Sequence, residues 1–119
     1  MQTMWLTGSL KIWLYSQPAD MRKSIDGLSI VVAEQLELNP CGPDVFVFHN
    51  SKRDKLKILY YDKNGFCLWY KRLEKGRFML PKMSNNSYAL TIEQLRWLLD
   101  GLRIEELRGN PELPFDTFY

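Results

Sequence analysis

Two residues near the middle of the chain, Asn64-Gly65, commit its centre to a β-hairpin. They separate Lys55 to Tyr61 from Phe66 to Leu73, two strand-like runs, and an Asn-Gly pair tolerates the positive φ angles of tight hairpin turns. With Asn64-Gly65 as a two-residue turn, Tyr60 pairs with Trp69 and Lys57 with Arg72. That register puts Lys55, Lys57, Tyr61, Tyr70 and Arg72 on one face. A three-residue loop with Gly65 in a bulge shifts the pairing by one and scrambles that face. The two-residue turn is the preferred register.

The hairpin and its flanks are also where the charge sits. Residues 52–82 hold ten Lys and Arg (52, 53, 55, 57, 63, 71, 72, 75, 77, 82) against Asp54, Asp62 and Glu74, a balance of +7. The remaining residues carry six basic and eleven acidic groups, so the near-neutral total of +2 conceals a basic segment. The same stretch holds Tyr60, Tyr61, Phe66, Trp69, Tyr70 and Phe78, which adds flat side chains on which bases stack to charge that neutralises phosphates. Nucleic acid is the first partner this combination points to.

The flanking elements follow from periodicity. Leu10 to Tyr15 alternates Leu10, Ile12 and Leu14 against Lys11, Trp13 and Tyr15, a half-buried strand pattern ended by Pro18. Asp20 is placed to cap a helix in which Met21, Ile25, Leu28, Val32 and Leu36 form one apolar stripe, running to about Leu38 before Pro40. Gly27 inside it costs about 1 kcal/mol relative to Ala, which points to a close contact or a kink. Val45 to Phe48 reads as a buried strand. The last clear element is a helix from Ile92 to Asp100, with a capping box from Thr91 and Gln94, a hydrophobic staple from Leu90 and Leu95, and Gly101 as the stop.

The order strand, helix, three strands, helix predicts one α+β domain over residues 1–101, a small, largely antiparallel sheet covered on one face by helices. Residues 102–119 read as an irregular tail: from Arg108 to Tyr119 it carries Pro111, Pro114, Phe115 and Phe118 and either packs on the body or meets a partner. No apolar run approaches the roughly 20 residues of a membrane helix, and Met1 to Ser9 lacks a signal peptide's basic region and cleavage site, which predicts a cytoplasmic protein. Cys41 and Cys67 form no CxxC pair and, with His49, do not complete a four-ligand zinc site without carboxylates; they read as unpaired thiols, and no cofactor or metal is expected.

Several blocks resemble a known family: Asp20-Met21-Arg22-Lys23-Ser24 with Asp26-Gly27-Leu28, then Phe46-Val47-Phe48, then Arg53-Asp54-Lys55-Leu56-Lys57, and Lys71-Arg72-Leu73-Glu74-Lys75-Gly76-Arg77-Phe78. Together they make the chain similar, over roughly Leu10 to Leu99, to the TnpB-like accessory protein specified by the second reading frame of the bacterial insertion-sequence family sixty-six. The resemblance implies a small protein without known catalytic activity, encoded beside a separate transposase and needed for efficient transposition. The chain departs from the family pattern at Cys41-Gly42-Pro43-Asp44, at His49-Asn50-Ser51, where members carry a further basic residue, and at Met79-Leu80-Pro81, where members often carry Trp-Pro.

Each candidate group has a functional and a structural reading. Arg53, Lys55, Lys57, Lys71, Arg72, Lys75 and Arg77 either guard an edge hairpin against aggregation or contact phosphates. Edge protection needs only a few charges, which favours phosphate contact. Arg22 and Lys23 are either solvated cations at a helix start or an extension of the basic surface. Tyr61, Trp69 and Tyr70 are candidates for base stacking, although strand aromatics usually pack a core. Catalysis has little to stand on: His49 lies beside no nucleophile motif, Asp54 and Asp62 sit at opposite ends of a strand, and Glu74 is placed to pair with Arg72 or Arg77. The leading expectation is a non-enzymatic accessory factor in DNA transposition that binds element ends or nonspecific duplex through the basic aromatic hairpin. The alternative is an adaptor that docks on the transposase without binding DNA.

Overall fold

A computed structural model describes residues 10–103. In chain order it contains strand β1 (Ile12–Tyr15), helix α1 (Ile25–Val31) continuing into a π-helical turn (Val32–Leu36), strands β2 (Val45–His49), β3 (Lys55–Asp62), β4 (Gly65–Arg72) and β5 (Ser87–Leu90), and helix α2 (Ile92–Leu99). The readings made for residues 1–9 and 104–119 lie outside the described residues.

Five strands form one sheet in the order β4-β3-β2-β1-β5. Every neighbouring pair is antiparallel except β1 and β2, which run parallel across the α1 crossover. The α+β class and the largely antiparallel sheet are as expected, but a strand was missed. Ser87–Leu90 is only four residues long and is a strand because it pairs with β1, Leu14 opposite Tyr88.

The sheet is covered on both faces, not one. On one side Ile12, Leu14, Val45, Val47, Leu56, Ile58 and Tyr60 pack with Phe78, Leu95 and Leu98. On the other, Tyr15, Phe46, Phe48 and Leu59 pack with Leu28 and Val32. Parallel pairing of β1 and β2 explains this: the α1 crossover lies on one face, and α2, entered from the edge strand β5, lies on the other. Strand β2 is therefore buried along its whole length, as is Tyr15 in β1, which alternation had placed outside.

The first helix starts four residues later than expected, and Asp20 is not its cap. Ser24 holds the N-cap position, and the first described helical bond runs from Leu28 N to Ser24 O at 2.9 Å. Asp20 instead closes a turn: its carboxylate accepts from the Arg22 backbone N at 2.9 Å and from the Arg22 guanidinium, while Lys23 N donates to Asp20 O. Two carbonyls that would open a longer helix, those of Met21 and Lys23, accept from the Lys57 ammonium at 2.7 and 2.8 Å. Leu28 and Val32 of the apolar stripe are buried, with Met21, Ile25 and Leu36 packed around them. Gly27 meets the close contact its position implied: a Cβ there would lie 3.1 Å from the Lys23 stem. The helix ends through Glu37, held left-handed at φ 57°, with Leu38 N bonded to Val32 O.

In the hairpin, Asp62 pairs with Gly65, so the turn is Lys63-Asn64 and not Asn64-Gly65. Tyr60 faces Cys67, Lys57 faces Tyr70 and Lys55 faces Arg72. The positive φ sits on Lys63, at 56°, rather than on the Asn-Gly pair. Each strand is thus displaced against the other by an even step, which changes the partners but leaves every side chain on its expected face. Helix α2 has both halves of the capping box, Gln94 N to Thr91 Oγ1 at 3.0 Å and Thr91 N to Gln94 Oε1 at 2.8 Å. Gly101 ends it at φ 85°.

Candidate nucleic-acid interface

The topology gathers cations from distant parts of the sequence at one end of the sheet. Tyr15 pairs with Ser87, His49 with Leu56 and Lys55 with Arg72, so β1 and β2 finish where β3 begins, β4 finishes and β5 begins. The connections at this end contain Arg22 and Lys23, Lys52 and Arg53, and Lys75, Arg77 and Lys82, with Asp20, Asp54 and Glu74 among them. The opposite end, around the Lys63-Asn64 turn, residues 37–44 and the start of β1, contains Glu37, Asp44 and Asp62 with Lys11 and Lys63. One pole of the molecule is basic and the other is not.

Backbone bonds fasten the basic-end connections to one another. Asn50 is the hub: its Oδ1 accepts from Asp54 N at 3.1 Å and Lys55 N at 3.0 Å, and its Nδ2 donates to Asp54 Oδ1 at 2.6 Å. That bond holds the Asp54 carboxyl below the usual carboxylate range. Arg53 is fixed at φ 61°, its N donating to Asn50 O and its O accepting from Phe78 N at 2.7 Å. Leu73 N donates to Asp54 O at 2.7 Å, so the Lys71-to-Phe78 block lies along the β2–β3 turn. Ala19 N donates to His49 O at 2.7 Å, which joins the β1–α1 connection to the same turn. Buried His49 lies between Ser16 O and Asn50 O, each 3.3 Å from a ring nitrogen, and burial lowers its pKa.

The candidate cations fall into two groups. Arg22 is bound to Asp20, whose pKa the Arg22 hydrogen bonds lower to about 2. Arg72 pairs with Glu74 at 2.9 Å, one of the two partners anticipated for Glu74, in an exposed pair of little weight for stability. Lys57 holds the Met21 and Lys23 carbonyls, with its ammonium 5.5 Å from the Tyr70 ring. Lys71 lies on the opposite face from Lys57, where its ammonium donates to Leu99 O at 3.0 Å at the C-terminal end of α2, the pole that attracts cations. In contrast, Lys23, Lys52, Arg53, Lys55, Lys75 and Arg77 have no side-chain hydrogen bond or ion pair among the described residues.

The aromatic candidates are divided as well. Trp69 packs against the α2-side core, and Tyr61 meets Phe66 edge-to-face at 5.1 Å. Tyr70 remains 48% exposed, on the face shared with Lys57. Reasoning from the hairpin alone left out Lys52 and Lys82 as site residues, because Lys52 lies beside Asp20 and Met21, and Lys82 beside Ser16 and Gln17, only once β1 and β2 pair in parallel. Among the described residues no cluster of His, Cys, Asp and Glu is arranged to hold a metal ion, and no helix is long and apolar enough to cross a membrane.

The chain has relatives that match it over most of its length. Uncharacterized protein y4hO of Sinorhizobium fredii (strain NBRC 101917 / NGR234) is 35% identical over 94 residues, covering 79% of this chain and 82% of that protein. Uncharacterized protein y4jC of the same strain is 31% identical over 102 residues, covering 86% and 87%. No solved structure matches the chain significantly. The family described as IS66 Orf2 like protein matches residues 10–109, and it carries an accessory role in transposition. With this match and the shared blocks, the chain belongs to the IS66 Orf2-like family.

Proposed function

We propose that the protein is a non-enzymatic accessory factor in transposition that binds duplex DNA through the basic end of its sheet. The observation that carries the reading is the set of unpaired cations, Lys23, Lys52, Arg53, Lys75 and Arg77 from three connections that backbone bonds lock together, with Lys55 at the start of β3. Cations carried on connections whose backbone is already held gain more from a regular array of phosphates than cations on loose loops, because less loop freedom is lost on binding. Contacts of this kind position the protein on the duplex without reading its sequence. Arg77 and Arg53 are the candidates for bidentate contact to phosphate or a base edge.

Anisotropy of a labelled duplex at several salt concentrations tests this. Binding should weaken with salt, and Lys52→Gln/Lys75→Gln/Arg77→Gln should reduce the slope of log K against log salt by roughly 0.9 for each contact removed. A slope unchanged by the substitutions refutes the proposal. A second reading, an adaptor that docks on the transposase, draws on Ile30, which is 54% exposed on α1. Co-purification with the transposase from nuclease-treated extract, lost in Ile30→Lys, supports that reading; no co-purification removes it.

A further inference from the structure

Beside the phosphate-facing connections lies a groove of about 440 Å³ whose floor and rim differ in chemistry. Leu80, Pro81 and Met83 contribute apolar surface; Ser16 and Gln17 contribute polar groups; Arg53, Lys82 and Arg103 place positive potential around it. Leu80 and Met83 are packed on the α2-side core and Pro81 is buried, so the apolar part has a firm backing. Arg53 leaves from a backbone tied on both sides, to Asn50 and to Phe78.

We propose that this groove takes one unpaired nucleotide of a DNA strand, the phosphate on Arg53 and the base against Leu80 and Met83. The inference rests on the DNA reading above and names the form of DNA the end prefers. The volume lies within the roughly 300–1,000 Å³ of sites that enclose a small molecule. A paired base is held in its stack and does not enter such a concavity; an unpaired or extruded one does, and apolar side chains then replace its stacking neighbours. Methionine suits this because its flexible, polarizable side chain fits bases of different shape. Ser16 and Gln17 supply hydrogen-bonding groups to the base edge. Since Arg53 belongs both to the groove and to the phosphate-facing set, a strand following those cations is delivered to the groove.

The test is anisotropy on the full chain, with a blunt duplex against the same duplex carrying a single-stranded extension of about three nucleotides. The extension should tighten binding roughly five-fold, the low end of what one stacked base contributes. That preference should disappear in Met83→Asp and in Arg53→Asn, the latter keeping a residue type that accepts the positive φ at this position. Equal affinity for the two duplexes overturns the inference and leaves the duplex reading standing. If neither duplex binds, the duplex reading falls, and the groove is judged by titrating deoxyadenosine monophosphate. Shifts of the Met83 and Leu80 methyl resonances then support it. Unmoved resonances, or movement only with an acidic peptide, overturn it.

Discussion

Lys57→Met separates a cation that contacts DNA from one that builds the surface. The substitution keeps the apolar stem and removes the ammonium that binds Met21 O at 2.7 Å and Lys23 O at 2.8 Å. Hydrogen bonds from charged donors contribute about 1.5–3 kcal/mol each, but the Lys23 bond is solvent-exposed and its carbonyl regains water. The net cost of losing both is thus about 2 kcal/mol, roughly a thirty-fold change in the folding constant. With a urea m-value of about 2 kcal/mol/M, the denaturation midpoint falls by about 1 M. The salt slope of DNA binding should change by much less than the roughly 0.9 of a lost phosphate contact, since the ammonium is already occupied by protein carbonyls. The opposite pattern, an unmoved midpoint with a slope reduced by a full contact, refutes the positioning role.

Three further predictions follow from backbone and burial. Glu37→Gly should stabilise the protein by about 1 kcal/mol, because Glu37 holds a left-handed conformation at φ 57°; chemical denaturation checks this. Lys63→Gly should do the same at the hairpin turn, φ 56°, without altering DNA affinity beyond a small long-range electrostatic change, because the turn is at the far end from the basic connections; denaturation and anisotropy together check both parts. Stability should be full above pH 6.5 and decline as pH falls toward the lowered folded pKa of His49, since the unfolded chain takes up a proton there that the buried ring, near Arg53, resists. Urea midpoints across this range, compared with those of His49→Gln, check the sign; a parallel decline in the variant removes His49 as its cause.

What was legible in the sequence was what local chemistry decides. The Thr91–Gln94 capping box lies within one turn and forms as read. The hairpin register was misread, yet its faces were right, because even displacement preserves the alternation of side chains. Asp20 looked like a cap because the competing groups are Arg22, which takes the carboxylate, and distant Lys57, which takes the carbonyls behind it. β5 gave no signal since four residues acquire strand form from a neighbour far back in the chain. The same non-local pairing assembled the candidate site: charge was visible along residues 52–82, but which cations share a surface depends on β1 lying beside β2. Two of the candidates themselves, Lys71 and Trp69, sit on the α2 side, because alternation along β4 turns them to the face opposite Tyr70 and Lys57.

The central claim is that one end of the sheet meets DNA. Amide chemical-shift mapping of the full chain with a short duplex tests it most directly. The account predicts shifts concentrated in residues 16–24, 50–55 and 73–83, fading as salt is raised. Shifts centred on the Lys63-Asn64 turn or on the exposed side of α2, with the basic connections unmoved, contradict it.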